Sequence, residues 1–163
     1  MALQPTTHPQ AEQQVGATEA DRADWAKTAV APRYNIILRI RHPELDPAEI
    51  TAALGWKPQH SWKAGDRAVT PKGTKLPGVR SDGLWSCTFQ GKSGIAAKFD
   101  EILGHLSERK KLFDKLNEMQ AQSALYLQLP GDTNIGDRIP WEVLKKFADL
   151  KIAFEFEAFP EWS

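Results

Sequence analysis

Four segments of the chain alternate apolar and polar side chains, and this period of two constrains the fold more than any other feature of the sequence. From Tyr34 to Arg41 the inward positions are Ile36, Leu38 and Ile40. The inward positions of the other three segments are Trp85, Cys87 and Phe89, then Leu125, Leu127 and Leu129, and finally Ile152, Phe154 and Phe156. Each segment is predicted to be a β-strand with one buried face. A shorter strand is expected around Trp62.

Helical patterns lie between these strands. The first helix is expected to begin at Asp46, whose carboxylate can accept a hydrogen bond from the backbone N–H of Glu49, and to end at Gly55. From residue 95 to 119 apolar side chains recur at helical spacing, which fits one long helix or two short ones. A last helix begins at Pro140, and its apolar side is expected to consist of Trp141, Leu144 and Phe147.

The predicted order is strand, helix, short strand, long loop, strand, helix, strand, helix, strand. The first six elements match a ferredoxin-like βαββαβ unit, extended by one more helix and strand. Strands that are buried on both faces would be continuous apolar runs, whereas these alternate, so the helices should cover one face of the sheet only. The sequence therefore predicts an α+β domain, a two-layer α/β sandwich whose mostly antiparallel sheet has one open face.

The composition bounds the number of domains and the environment. With 163 residues, 41% of them hydrophobic, the chain can bury one core, so we expect a single domain over residues 31–163 behind a flexible polar tail, residues 1–30. The formal net charge is zero, which removes the overall attraction to nucleic acid or to an anionic membrane. Because we find one cysteine and neither a secretory signal nor a membrane-spanning run, we predict a cytoplasmic protein.

A set of short motifs carries a family resemblance. The motifs are Leu38-Arg39-Ile40, Leu45-Asp46-Pro47, Glu49-Ile50-Thr51, Leu54-Gly55, Pro58, Lys63-Ala64-Gly65-Asp66 and Trp85. Over about residues 34–159 the chain resembles a family of small bacterial domains catalogued as a domain of unknown function, number 4279. The resemblance implies a bacterial origin and a compact α+β domain. It implies no activity, cofactor or catalytic residue.

Two patterns suggest ligand-binding loops, and both have a simpler interpretation. Gly91-Lys92-Ser93 follows a strand and precedes a helix, as a phosphate-binding loop does, but that loop needs a glycine five positions earlier, where Ser86 stands. Asp132, Asn134 and Asp137 offer oxygen ligands, yet the glycine and glutamate positions of a calcium loop are not matched. For each of these two patterns we predict an exposed turn.

Cys87 is the one candidate nucleophile that the sequence suggests, with His60 or His105 as its base. It shares its strand face with Trp85 and Phe89, which predicts an inert core thiol. The four histidines show no short metal-ligand spacing. We therefore expect no catalytic residue, no metal ligand and no cofactor.

The open face of the sheet is the first surface on which a function could depend. By strand alternation it should consist of Arg39, Arg41, Ser86, Thr88, Gln90, Tyr126, Gln128, Glu155 and Glu157. Arginine and tyrosine are the residue types that often anchor protein interfaces. We predict that this face binds a protein partner or a second copy of the chain, while an ordinary solvated face remains the simpler alternative.

The basic segment, residues 57–80, is the second such surface. Its cations are Lys57, Lys63, Arg67, Lys72, Lys75 and Arg80. They face a single acid, Asp66, and part of the segment lies in a loop rich in glycine and proline, residues 67–83. The segment could hold a phosphate-bearing ligand or single-stranded nucleic acid, with Trp62 or Trp85 stacking, or it could be a solvated charge run.

A non-catalytic protein-binding module, for example an inhibitor or immunity-type protein, is the function that the sequence favours. The alternative is a binding domain or enzyme for an anionic, phosphorylated or nucleotide-like ligand that uses the basic segment. Nucleic acid is not the expected partner and no membrane association is expected. Basic side chains that converge on a pocket would favour the ligand, whereas side chains spread into solvent would favour the partner surface.

Overall fold

The computed structural model describes residues 34–70, 72–92, 94–130 and 134–159. The predicted tail, residues 1–30, lies outside these ranges. So do Ser93 of the phosphate-loop motif and Asp132 of the calcium-loop pattern. The predictions for the tail and for these two residues therefore stay predictions.

The described chain folds into two sheets and a layer of helices. The five strands of the larger sheet are β1 (Tyr34–His42), β2 (His60–Trp62), β5 (Gly83–Gly91), β6 (Gln122–Pro130) and β7 (Ala153–Phe159). The two strands of the smaller sheet are β3 (Arg67–Val69) and β4 (Lys75–Val79). The helices are α1 (Pro47–Leu54), α2 (Ile95–Ser107), α3 (Lys110–Glu118) and α4 (Trp141–Leu150). The predicted α+β class is confirmed.

Across the larger sheet the strand order is β2-β5-β1-β6-β7. β1 pairs antiparallel with β5 on one side and with β6 on the other, and β2 pairs antiparallel with β5. β6 and β7 run parallel, and α4 supplies the crossover that a parallel pair requires. The sheet is therefore mostly antiparallel, as predicted.

One buried cluster joins the sheet to the helices. On β1 the predicted inward residues Ile36, Leu38 and Ile40 have no exposed surface, which confirms the alternation. The same cluster contains side chains from all four helices, among them Ile50, Phe99, Phe113 and Phe147. The described helices thus pack on the face of the sheet that bears these inward residues.

Local signals place the ends of α1. Asp46 lies in an extended conformation just before the helix, and its carboxylate accepts from the backbone N–H of Ala48 at 3.0 Å, one residue earlier than the predicted donor Glu49. Gly55 ends the helix with φ of 71°, a left-handed conformation that costs glycine little. The predicted position of the helix is therefore correct, and its capping partner is corrected.

The helical pattern from residue 95 to 119 consists of two helices. α2 ends at Ser107 and α3 begins at Lys110, so the chain turns at Glu108 and Arg109. The guanidinium of Arg109 donates to the backbone carbonyl oxygens of Ala53 and His105, at 3.0 and 2.8 Å. The hydrogen bond to Ala53 ties the turn to the end of α1, and the one to His105 ties it to α2.

The predicted long loop between β2 and β5 contains the smaller sheet. β3 and β4 pair antiparallel in an irregular register, with Arg67 opposite Val79 and Val69 opposite Lys75. Two backbone hydrogen bonds join the ends of this hairpin, from Gly65 to the Arg80 carbonyl and from Arg80 to the Asp66 carbonyl, each 2.8 Å long. The prediction of an irregular loop is therefore wrong for residues 67–69 and 75–79.

Two predictions of buried apolar residues are also wrong. The buried residues of α4 are Val143, Phe147 and Leu150, while Trp141 and Leu144 are exposed. Phe156 lies on the predicted side of the sheet, because it pairs in register with the buried Leu127, but it is 72% exposed. Because β7 is the last strand of the sheet, its helix-side residues have neighbours on one flank only.

Candidate functional site

The register of the strands brings the open-face residues into rows. The middle row consists of Thr88, Ile37, Tyr126 and Glu155, on β5, β1, β6 and β7. The next row toward the start of β1 consists of Gln90, Asn35, Gln128 and Glu157, and the row on the other side consists of Ser86, Arg39, Ala124 and Ala153. All the predicted open-face residues except Arg41 therefore lie in three adjacent rows.

Arg39 and Tyr126 are in contact at the centre of this face. The guanidinium carbon of Arg39 lies 4.8 Å from the centroid of the Tyr126 ring, and both side chains are half-buried. This is a cation–π distance, so the charged end of Arg39 is attracted to the Tyr126 ring. Arg41, farther along β1, forms an ion pair with Asp82 at 3.3 Å. Arg39 therefore contacts an aromatic ring, whereas Arg41 contacts a carboxylate.

The open face also has an apolar component. Ile37 is half-buried at the centre of the middle row, and Leu84, Ser86 and Ala124 are buried although they lie on this face. Ser86 is flanked in the register by Arg39 and by His60 of β2. Leu84 and Ala124 occupy outward positions of the same alternation as the predicted residues. The sequence pattern therefore contained the signal that places them on the open face.

Gln59 extends the edge of the sheet beside this face, a role that sequence reasoning missed. It stands just before β2, and its side-chain oxygen accepts from the backbone N–H of Thr88, while its own N–H donates to the Ser86 carbonyl at 2.9 Å. Gln59 therefore continues the pairing of β2 with β5 by one residue. A glutamine before a strand carries no sequence signal for this role.

The six cations of the basic segment do not converge. Lys63 forms an ion pair with Asp46 at 2.9 Å, and the guanidinium carbon of Arg80 lies 3.8 Å from the Trp62 ring centroid. The other four are exposed: Lys57 follows α1, and Arg67, Lys72 and Lys75 lie on or between the strands of the smaller sheet. Lys63 alone among the six lines the groove described next.

A shallow groove of about 590 Å³ lies between α1 and β2. Its lining residues are Asp46, Pro47, Ala48, Thr51, Ala52, Ser61, Trp62, Lys63 and Asp66. The side-chain hydrogen bond from Lys63 lowers the pKa of Asp46, with the backbone N–H of Ala48 acting in the same direction. Within the groove the one cation faces two carboxylates, which does not favour an anionic ligand.

Cys87 is buried, and burial raises the pKa of its thiol. His60 pairs in register with Ser86, the neighbour of Cys87, and so lies on the other face of the sheet. His105 stacks on Trp56 at a ring distance of 4.1 Å, and its Nε2 lies 2.8 Å from the Leu54 carbonyl oxygen. A raised thiol pKa disfavours the thiolate that a nucleophile requires.

The two loop patterns have structural roles in the described part of the chain. Asp137 accepts from the backbone N–H of Ala96 at 2.9 Å, so it caps the start of α2, whose N-cap residue Gly94 offers no side chain. Gly91 lies against the ring of Tyr34, where a Cβ atom would come within 2.1 Å of Cζ. This glycine is therefore explained by packing.

Four further findings bear on the class of protein. None of the described helices is long and apolar enough to cross a membrane. Within the described ranges, no three histidine, cysteine, aspartate or glutamate side chains are grouped so that they could hold a metal ion. Comparison with curated proteins and with solved structures gives no match. A family model does match, over residues 32–159, and the chain belongs to that family, the Domain of unknown function (DUF4279).

Proposed function

We propose that the protein is a non-catalytic interaction module that binds a partner protein through the open face. The observation that carries this proposal is the pair Arg39 and Tyr126, held in contact at 4.8 Å at the centre of a face that the described helices leave uncovered. Arginine and tyrosine contribute more to interface affinity than most residue types. Because their contact already restrains both side chains, binding would cost less side-chain entropy.

The residues around Arg39 and Tyr126 are also suited to binding a partner protein. Ile37 supplies a half-buried apolar centre, and Thr88 and Gln128 supply hydrogen-bonding groups around it. This arrangement of an apolar centre and a polar surround is typical of partner interfaces. We infer that the partner places a carboxylate against Arg39 and aliphatic side chains against Ile37. An inhibitor or immunity-type protein is one version of this function.

The proposal includes a more specific description of the fold and the environment. β5 lies between β1 and β2, and β6 flanks β1 on its other side, which supports a ferredoxin-like arrangement with α4 and β7 added. A bacterial origin is implied by the family resemblance. A cytoplasmic location is proposed from the sequence, which has a single cysteine.

The second candidate is a domain or enzyme that binds an anionic, phosphorylated or nucleotide-like ligand through the basic segment. The exposure of Arg67, Lys72 and Lys75 on the smaller sheet supports it. The engagement of Lys63 with Asp46 and the dispersal of the remaining cations favour the interaction module. Binding of inorganic polyphosphate that weakens with salt and is lost in the variant Arg67→Glu/Lys75→Glu would favour the second candidate.

Charge reversal at one residue tests the interaction module. The variant is Arg39→Glu, and its matched control is Lys111→Glu, an exposed cation on α3 in the helical layer. Both variants change the net charge equally. We expect a partner retained by the wild type and by Lys111→Glu, in affinity capture from the source cells with mass spectrometry, to be lost at least tenfold with Arg39→Glu.

Binding measurements with purified proteins then test the proposal directly. The captured partner, produced separately, should bind the wild-type chain in solution and Arg39→Glu at least tenfold more weakly. Sedimentation of the chain alone shows whether the open face binds a second copy of the chain instead of a partner protein. Equal binding of Arg39→Glu and Lys111→Glu, with equal thermal stability of the two variants, would contradict the use of the open face.

A further inference from the structure

The outer edge of β7 is a surface separate from the open face. β7 is the last strand in the order of the larger sheet, and within the described ranges no strand pairs with its outer edge. An edge strand presents unpaired backbone N–H and C=O groups, which can pair with another extended segment. β7 is seven residues long, which is sufficient for several such hydrogen bonds.

Exposed apolar side chains occur on the helix side of β7 and on α4, the helix that precedes it. Phe154 and Phe156 are 41% and 72% exposed, and on α4 Leu144 and Trp141 are 46% and 69% exposed. Phe154 also contacts Phe99 and Phe147, at ring distances of 5.3 and 5.6 Å, so the exposed aromatic side chains continue from the core. Exposed aromatic surface next to an edge that none of the described strands covers is typical of a docking site.

Carboxylates occupy the other side of the strand. Glu155 aligns with Tyr126 and Glu157 with Gln128, so both lie on the open-face side, alternating with the two phenylalanines. A segment added to β7 would place its alternate side chains opposite these residues. Basic side chains opposite the glutamates and apolar side chains opposite the phenylalanines would be complementary.

Pairing of β7 with β7 of a second copy is disfavoured by the same charges. In an antiparallel pair with its two-fold axis at Phe156, Glu155 of each copy faces Glu157 of the other. With the axis at Glu155 or at Glu157, that glutamate faces itself. Like charges directly opposite each other destabilise a strand pair. In these three registers the glutamates disfavour self-association, and their charge favours a basic partner.

We propose that β7 binds an extended segment of a partner protein in which basic and apolar residues alternate, as an added strand of the larger sheet. This site goes beyond the open face, because it uses backbone hydrogen bonding at the edge and the aromatic side chains on the helix side. The segment would align its basic residues with Glu155 and Glu157 and pack its apolar residues on Phe154 and Phe156.

Short blocked peptides test the proposal with the full chain. The probe is a seven-residue peptide of alternating valine and lysine, and the control peptide has the same composition with the lysines grouped together. We expect the alternating peptide to bind about tenfold more tightly in fluorescence anisotropy, because only it presents both faces correctly. Of two probes that are N-methylated on opposite sets of alternate amides, one should lose binding and the other should keep it.

Protein variants identify the site. Glu155→Lys/Glu157→Lys should abolish binding of the valine–lysine peptide and confer binding of a valine–glutamate peptide. Glu44→Lys/Glu118→Lys, with the same change in net charge at exposed positions away from β7, should leave binding unchanged. Arg39→Glu should also leave it unchanged, which separates this site from the proposed function.

Three results would overturn the proposal. The first is equal or undetectable binding of the alternating and grouped peptides. The second is loss of binding with Glu44→Lys/Glu118→Lys to the same extent as with Glu155→Lys/Glu157→Lys. The third is a wild-type dimer in sedimentation that Phe156→Ser dissociates, because β7 would then be occupied by a second copy.

Discussion

The indole Nε1 of Trp85 donates a hydrogen bond to the hydroxyl of Thr51 over 2.9 Å. Trp85 lies on β5 and has no exposed surface, and Thr51 lies on α1. The Thr51 hydroxyl in turn donates to the Pro47 carbonyl oxygen at 2.9 Å. This chain of hydrogen bonds joins the first helix to the sheet.

Thr51→Val should therefore destabilise the protein. Valine keeps the shape of threonine but leaves the buried Trp85 N–H without its acceptor, which costs about 1–3 kcal/mol in the free energy of unfolding. Urea unfolding measures the loss. Thr88→Val, on the open face, is the control and should change the free energy of unfolding by less than about 0.5 kcal/mol. Equal effects of the two substitutions would contradict the role of this hydrogen bond.

Gly91→Ala tests the packing of Tyr34. The added Cβ atom would lie 2.1 Å from Cζ of the Tyr34 ring, so the ring must move, and we expect a loss of about 1–3 kcal/mol in the free energy of unfolding. Gly136→Ala is the control, because nothing lies within 4 Å of its Cβ position. Thermal unfolding compares the two. In the background Tyr34→Ala, the additional effect of Gly91→Ala should largely vanish, and persistence of the full loss would exclude the clash.

The sequence predicted the elements whose signal is local. The alternation of β1, β5 and β6 depends on which side chains are buried in a half-covered sheet, and the cap of α1 depends on Asp46 and Gly55 alone. β3 and β4 have three and five residues and carry no alternation. Backbone hydrogen bonds between distant residues hold their ends, and these leave no trace in the side-chain pattern.

The sequence predicted which residues belong to the candidate sites, but it did not predict which of these residues contact each other. The alternation placed Arg39 and Tyr126 on the open face, but their contact depends on the register of β1 against β6, which the sequence does not show. The exposure of Phe156 depends on the strand order, because only that order makes β7 the edge. The dispersal of the basic residues likewise depends on the smaller sheet, which was not predicted.

The pairing of Asp46 with Lys63 predicts a pH dependence of stability. Hydrogen bonds from Lys63 and Ala48 lower the pKa of the Asp46 carboxyl in the folded chain, so the folded state binds this proton less readily than the unfolded state. The stabilisation is complete above the unfolded pKa of about 3.9 and is lost as the pH falls through the lower folded pKa. Asp46→Asn keeps a helix cap and removes the charge.

Thermal unfolding of the wild type and of Asp46→Asn as a function of pH measures this contribution. The wild type should have the higher melting temperature at pH 6, and the difference should shrink below about pH 4. Because both partners are largely exposed, 1 M salt should also reduce it. A difference that stays constant from pH 6 to pH 2 would show that the amide perturbs the cap and that the charge contributes nothing.

The buried thiol of Cys87 gives the last prediction, which concerns reactivity. Burial raises the pKa of the thiol and its side chain has little access to solvent, so the folded protein should react with iodoacetamide at pH 8 at least about 100-fold more slowly than the protein in 8 M urea. The Sγ atom also lies 3.7 Å from the Lys57 carbonyl oxygen, a contact that holds the thiol inward. Mass spectrometry of timed samples measures both rates. Rapid labelling of the folded protein would reopen the interpretation of Cys87 as a nucleophile, whereas slow labelling, with Cys87→Ala retaining partner binding, agrees with a core residue.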